Sequence, residues 1–412
     1  MKAVVLAAGE GRRMRPLTST FPKAMLPLSN QPILAHILRQ LISAGISECV
    51  FVTGYKSEAI ESYFGDGSRW KISIKYKRQS EQLGTGHAVH TIRNLVDEPF
   101  LLLNSDVIIR TPDIAHLMVK RTTCISLFQV DNPHGLGIVE VAGDLVVRIH
   151  EKTSNPPGTL ANAGAYLLTD AIFPALERIT RSPRGEYELT DAIQLLVDDG
   201  KEVSFVRLES WNNISYPWDL LSANEVMMLE AQSGNSGNIE SGAWITQPVD
   251  IGTDTIIRSG SYITGPVVIG RNCDIGPNCY IRPYTAIGNY CHIGASVEIK
   301  NSIIMDSSRI PHLSYIGDSI IGPECNLGAG TTVANLRLDK RNISCSSTDT
   351  SRRKFGAVLG AGVETGINVS ISPGTVIGNN SRIWPDTLVG GEIPPFTTVL
   401  ERRDRWERSN RQ

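Results

Sequence analysis

The sequence contains no CxxC pair, no Cys and His at zinc-site spacing, and no apolar run near the roughly 20 residues a membrane span needs. Disulfide-stapled, zinc-ribbon and membrane-spanning classes are thereby set aside. The seven cysteines (Cys49, Cys124, Cys273, Cys279, Cys291, Cys325 and Cys345) are odd in number and scattered, which suits reduced thiols buried as small apolar residues. MKAVVLAAGEG at the N-terminus has one Lys and too short an apolar run for a signal peptide, so a cytoplasmic location is expected. The net charge of −2 gives no basic footprint for nucleic acid. Aromatic residues make up only 6%, whereas 37 glycines point to many tight turns. A chain of 412 residues exceeds one ordinary compact core, so two domains are expected.

The two halves differ in period. Up to about residue 230, apolar β-branched runs (KAVVLAA, ECVFVTG, ISIKY, PFLLLNSD) alternate with amphipathic segments such as ILAHILRQLISAG and GHAVHTIRNLV. That alternation predicts an α/β domain, residues 1–230, with a mostly parallel sheet covered on both faces. PWDLLSANEVMMLEAQ reads as its closing helix, and residues 231–242, with SGNSGN, as a flexible linker. From 251 an isoleucine recurs every six residues: 251, 257, 263, 269, 275, 281, 287, 293 and 299. This hexapeptide repeat predicts a parallel β-helix over 243–400, each repeat supplying one short strand and one turn. Within RIPHLSYIGD (309–318) the spacing has slipped by one, and His312 and Tyr315 occupy that stretch. Later LRLDKRNISCSSTDTSRRKFG interrupts the coil for about 20 residues, long for a passive connection. Prisms of this kind pack side by side in threes, so a homotrimer or a multiple of it is expected.

Chemistry-bearing residues cluster in both halves. LAAGEGRRMRPLT follows the first strand; Gly9 and Gly11 let backbone approach a phosphate chain, and Arg12, Arg13 and Arg15 can neutralise it. A plain strand-to-helix connection reads the same way. Met14 stands where a dinucleotide fingerprint needs Gly, and no Gly-Lys-Ser/Thr follows, which excludes a P-loop. FPKAMLP adds Lys23, the glutamines of QSEQLGTGHA can read a base edge, and Asp106 ends a buried strand as a metal ligand or a turn residue.

LAAGEGRRM, PKAMLP, RQSEQLGTGHA, NSDV, HEK, NAG and GEYELTD occur here in the order seen in sugar-1-phosphate nucleotidylyltransferases. With the repeat half, the chain resembles the bifunctional N-acetylglucosamine-1-phosphate uridylyltransferase/glucosamine-1-phosphate N-acetyltransferase family, in its archaeal form. The resemblance implies a Rossmann-like nucleotidyltransferase domain and a left-handed β-helix. It implies Leu6, Ala8, Gly9, Gln79 and Gly84 on the nucleotide, with Arg13 on the triphosphate and Lys23 on the transferring phosphate. Thr85, Gly137, Glu151 and Asn162 would bind the sugar phosphate, and Asp106 and Asn213 would hold Mg²⁺. A sugar phosphate attacking UTP is already anionic, so positioning and charge neutralisation suffice.

Acetylating an amino sugar needs a base, because the amine is largely ammonium at neutral pH, and histidine has the right range. The resemblance makes His312 that base. Arg282, Lys300, Tyr315, Asn326 and Asn335 would bind the acetyl acceptor, and Ala329 would lie at acetyl-CoA. Trp384 and Pro385 replace small residues expected along the CoA channel. In the basic tail 401–412, Arg402 either approaches CoA or belongs to a solvated terminus. Two other readings stay open: a single-activity nucleotidylyltransferase (glucose-1-phosphate with UTP or dTTP) whose β-helix regulates or oligomerises, and a non-catalytic assembly subunit.

Overall fold

The computed structural model describes residues 1–96, 99–229 and 233–400. The described residues form two compact units: those of Met1–Gly11, Phe21–Leu26 and Gln31–Ser215 in one, and those of Arg12–Thr20, Pro27–Asn30 and from Tyr216 to 400 in the other.

The first unit is a nine-stranded sheet between helices. Its order is Ser73–Arg78, Glu48–Thr53, Ala3–Ala7, Phe100–Asn104, Leu160–Leu168, Cys124–Gln129, Ser204–Arg207, Leu145–Glu151 and Gly137–Ala142. The first four strands are parallel, as their apolar runs predict. The remainder corrects the expectation of a mostly parallel sheet, since four of the eight neighbouring pairs are antiparallel. The cause is local. Ala142 and Leu145 pair across a tight turn containing Gly143 (φ +56°), a connection too short for a parallel crossover. GHAVHTIRNLV is helical only as part of Thr85–His90 and continues as turns. Packed around Val4, Val50, Leu102, Ile125 and Tyr166, this core holds the strand ends that carry the site rigid.

The second unit is a stack of coils with three flat faces, each a parallel sheet. The first face runs from Gly234–Asn235 to Glu392–Ile393, the second from Asn238–Ile239 to Thr398–Val399, and the third from Trp244–Thr246 to Leu388–Val389. This architecture is consistent with a parallel β-helix. The repeated isoleucines form its interior column; Ile257, Ile263, Ile275, Ile281, Ile293 and Ile299 are fully buried. The expected linker is partly strand, because Gly234–Asn235 and Asn238–Ile239 pair with Asp250–Ile251 and Ile256–Ile257 and satisfy their backbone in the first coil. The expected closing helix appears as Pro217–Leu229 and packs on the first face, with Met228 against Val268 and Ala286. Asn224, fully buried there, donates to the Tyr284 carbonyl at 3.0 Å.

Strand register relocates the slip. Ile251, Ile269 and Ile287 stack eighteen residues apart, but Ile287, Ile304 and Ile321 stack at seventeen. The missing residue is lost between Ile299 and Ile304, and again between Ile316 and Ile321; Ile310 to Ile316, which spans His312, keeps full spacing. Both shortened segments lie at the corner between the third and first faces. The long excursion leaves that same corner one coil later, and the Phe355 amide returns to the Asn335 carbonyl at 3.0 Å. Three irregularities that look separate in the sequence therefore share one edge.

Candidate active sites

In the first unit, Leu6 lies next to the end of the Ala3–Ala7 strand, and its carbonyl accepts from the Ser105 amide at 3.1 Å. The Ala8 carbonyl accepts from Tyr55 at 3.1 Å. A Cβ placed on Gly9 would meet nothing within 4 Å, so this loop faces open room. Asp106 follows Phe100–Asn104, and Lys23 Nζ pairs with its Oδ2 at 2.7 Å. Asn213 lies on the short strand paired antiparallel to Val107–Ile108, opposite Val107, and the Ile214 amide donates to the Asp106 carbonyl at 2.9 Å. A carboxylate in the turn before Val107 and an amide oxygen on the strand paired with Val107 form a hard oxygen donor set that suits Mg²⁺, which takes its remaining ligands from water and substrate phosphate. Among the described residues no cluster of three His, Cys, Asp or Glu is suited to a metal.

The base and sugar residues are joined through GEYELTD. The Gln79 amide donates to the Gly84 carbonyl at 3.1 Å and meets His87 Nδ1 at 3.0 Å. Gly84 (φ +108°) has no room for a side chain, since a Cβ would lie 2.5 Å from the Tyr187 carbonyl oxygen. Thr85 Oγ1 accepts from the Leu189 amide at 3.0 Å. A Cβ on Gly137 would lie 2.9 Å from Glu151 Oε2 and 3.8 Å from Asn162 Cβ, so these three residues lie side by side. Asn162 Nδ2 donates to Tyr166 Oη at 2.8 Å. Arg184 and Thr190, to which no sequence motif gives a role, fix Glu151: Thr190 Oγ1 donates to Oε2 at 3.1 Å, and Arg184 bridges Glu151 (3.3 Å) and Glu188 (2.6 Å). Burial raises the Asp191 pKa, with the nearby Glu188 and Glu151 charges adding to the rise. In the second unit, Arg13 sits in a 3₁₀ turn, Arg12–Met14, with its guanidinium 5.5 Å from the centre of the Tyr216 ring.

On the coil stack, Arg282, Lys300 and Asn335 project at the corner between the third and first faces, Lys300 one coil beyond Arg282 and Asn335 two coils beyond Lys300, and Tyr315 reaches it from the coil between them. Arg282 pairs with Glu298 at 2.8 Å, which raises its pKa. Lys300 Nζ lies 3.1 and 3.0 Å from the two oxygens of Asp318. Asn301 Nδ2 donates to Asp318 Oδ1 at 2.9 Å. Asn335 Nδ2 donates to Asp318 Oδ2 and, at 3.2 Å, to Tyr315 Oη. Burial, then the Asp318 charge, raises the Tyr315 pKa and keeps the phenol protonated. Asp318, Asn301 and Glu298 are not among the residues the sequence singles out; the two five-residue spacings that carry Asn301 and Asp318 are the available signal.

His312 and Ala329 lie at the opposite edge of the third face, at the corner with the second face, and Asn326 is on the second face itself. The His312 imidazole is exposed, while its carbonyl accepts from Ser314 Oγ (2.8 Å) and the Gly330 amide (3.1 Å). The Ala329 carbonyl accepts from Asn368 at 2.7 Å. One chain thus joins four of the acceptor-side residues at one edge and carries the expected base at the other. Trp384 is half exposed, with Pro385 packed over Gly366. Arg402 lies outside the described residues.

No described helix is long and apolar enough to cross a membrane. Residues 2–229 match the nucleotidyl transferase family, and residues 263–381 match the GMPPB C-terminal domain. A bifunctional protein GlmU of Methanococcus maripaludis is 45% identical over 408 residues, covering 98% of each chain. A bifunctional sugar-1-phosphate nucleotidylyltransferase/acetyltransferase of Sulfurisphaera tokodaii is 38% identical over 95% of this chain and 98% of its own. The fold of a putative glucose-1-phosphate thymidylyltransferase from Bacillus anthracis superposes with a TM-score of 0.52 at 24% identity, over 57% of this chain and 98% of that one. Both halves are matched at full length, and the chain belongs to the bifunctional GlmU family of nucleotidyl transferases.

Proposed function

We propose that the chain acetylates glucosamine-1-phosphate with acetyl-CoA on its coil stack and then, in its N-terminal half, transfers uridylyl from UTP to the product. UDP-N-acetylglucosamine forms and pyrophosphate leaves. The observation that carries this reading is the polar corner: Lys300 and Asn335, separated in sequence, meet around one carboxylate, and Tyr315 joins them through Asn335, on a stack whose interior is an apolar column. A β-helix that only regulates or oligomerises has no use for such a cluster. In our reading the coils wind left-handed, the functional halves are 1–230 and 243–400, and copies assemble as trimers. The seven free, buried cysteines suit a reducing cytoplasm.

In the acetyl transfer, His312 takes a proton from the amine as nitrogen attacks the thioester carbon; the carbon–sulfur bond then breaks and CoA leaves. Arg282 and Lys300 hold the sugar phosphate, and the Ala329 N–H faces the developing oxyanion. In the uridylyl transfer, the sugar phosphate oxygen attacks the α-phosphorus in line, with Arg13 and Lys23 spreading the charge. Gln79 and Gly84 face the uracil, and Thr85, Gly137, Glu151 and Asn162 hold the sugar. Asp106 and Asn213 would hold Mg²⁺, which supplies charge neutralisation on the phosphates when bound.

Thiol release from acetyl-CoA with glucosamine-1-phosphate, run beside UTP-dependent pyrophosphate release, tests both halves. His312→Ala is expected to lose acetyl transfer at least 100-fold and keep pyrophosphate release. An intact chain that acetylates no amino-sugar phosphate would leave only the nucleotidylyltransferase.

A further inference from the structure

We infer that Asp318 is a positioning residue for the acetyl-acceptor site: it sets the Lys300 ammonium and fixes which end of the Asn335 amide faces the substrate. This rests on the acceptor-site reading above and deepens it.

The backbone is built for the role. In coils of full length the corner between the third and first faces takes three residues after the inward isoleucine, as in Arg282–Pro283–Tyr284 after Ile281. In the two shortened coils the residue two places after that isoleucine adopts a left-handed conformation: Asn301 at φ +45° and Asp318 at φ +49°. Asn and Asp tolerate that region better than other non-glycine residues. The Asp318 amide donates to the Lys300 carbonyl at 2.9 Å and its carbonyl accepts from Gly356 at 2.9 Å, so the main chain is pinned on both sides. The side chain is 3% exposed, in contrast to the open ion pairs elsewhere on the stack, such as Arg382–Glu364 at 68% and 51%.

A carboxylate so placed accepts four contacts: both oxygens face Lys300, one also accepts from Asn301 and the other from Asn335. A buried charge persists only when so paired. Asn335 spends its amide hydrogens on Asp318 and Tyr315 Oη, which leaves Oδ1 as the group offered to a ligand. That oxygen suits a donor, a sugar hydroxyl or amine, and Asp318 is what forbids the flipped orientation. Lys300, tethered at two oxygens, presents its charge at one fixed place.

Asp318→Asn keeps the backbone preference and volume, but opposes one amide NH₂ to Asn335 Nδ2 and removes the Lys300 counter-charge. Asp318→Gly, also suited to positive φ, deletes the side chain and carries the test where the Asn variant does not fold. The expected result is a KM for glucosamine-1-phosphate raised at least tenfold, a KM for acetyl-CoA within twofold, and uridylyl transfer unchanged. In a Lys300→Ala/Asn335→Ala background the further Asp318→Asn change is expected to cost less than threefold, because its targets are gone. A purely structural residue would lower the melting temperature and both substrates' kinetics together, with the full penalty surviving in that background; that pattern, or a KM unchanged in a folded variant, overturns the inference. No acetyl transfer by the unaltered chain defeats the acceptor-site reading itself, and the inference with it.

Discussion

Gly317→Ala puts a single methyl group into the polar corner, and its effect can be worked out from the neighbours it would meet. The new Cβ would lie 2.5 Å from Tyr315 Oη, 2.6 Å from Asn335 Nδ2 and 2.9 Å from Tyr315 Cζ. Ordinary contact begins near 3.5 Å, so the two side chains must retreat by about 1 Å. Both are tips of half-buried side chains that can rotate outward, while Gly317 has no positive φ to penalise alanine. The backbone fold is therefore kept. The corner loses order, because the retreat breaks the Tyr315–Asn335 hydrogen bond, about 1 kcal/mol, and pulls Asn335 from the Asp318 carboxylate, about 1.5–3 kcal/mol for a charged acceptor. If the acceptor site needs both groups in place, about 2.5–4 kcal/mol of transition-state binding goes, roughly 70- to 1000-fold in kcat/KM. The assay is thiol release from acetyl-CoA at varied glucosamine-1-phosphate, with pyrophosphate release and thermal unfolding as controls. Wild-type kcat/KM in a folded Gly317→Ala protein would mean that substrate does not use the cluster.

Two further perturbations test other parts of the molecule. Gly84→Ala faces backbone rather than side-chain tips, with the Tyr187 carbonyl oxygen at 2.5 Å and its nitrogen at 2.8 Å, and φ is +108°. Uridylyl transfer is expected to fall at least tenfold with a raised KM for UTP, acetyl transfer to stay within twofold, and steady-state kinetics of both reactions check it. The thiols of Cys325 and Cys345 are pushed by burial up to about 12 and about 11 from 9.0. Because the folded thiols resist ionisation, the stability they contribute is whole below about pH 9 and is lost as pH rises through 11 to 12. Urea midpoints measured from pH 8 to 11 are expected to fall, and to fall less steeply in Cys325→Ala/Cys345→Ala; parallel slopes in the two proteins would disprove this.

The fold was largely legible because two periods carry it. A column of isoleucine at six-residue spacing matches neither the helical period nor the alternation of a flat strand, and the parallel half of the first sheet announces itself in apolar runs such as PFLLLNSD. The antiparallel half was not legible, since Gly137–Ala142 and Leu145–Glu151 become neighbours through a two-residue turn that no strand periodicity records. Residue types point to Lys300, Tyr315 and Asn335, but not to the carboxylate that joins them. Asp318 looks like an ordinary turn residue in SYIGDS, and only the register of Ile316 against Ile299 shows that it comes level with Asn301, within reach of Lys300. The slip is visible in the sequence but lands half a coil from its true place: counting from 299 to 310 in sixes hides Ile304, which pairs with both Ile287 and Ile321. The direct Lys23–Asp106 pair is equally out of reach, since the motifs give each residue a ligand and neither the other as partner.

Stacked coils also make a measuring scale. Adjacent strands of a sheet lie about 4.8 Å apart. Arg282, Lys300 and Asn335 leave the same edge, one coil and then two coils apart, and so form graduations along it, and the polar atoms of a bound molecule must fall on those marks. Altering one mark leaves the interior column of Ile281, Ile299, Ile316 and Val333 untouched. The edge can therefore be recut for a ligand of different length, coil by coil, while the rod that carries the scale stays the same.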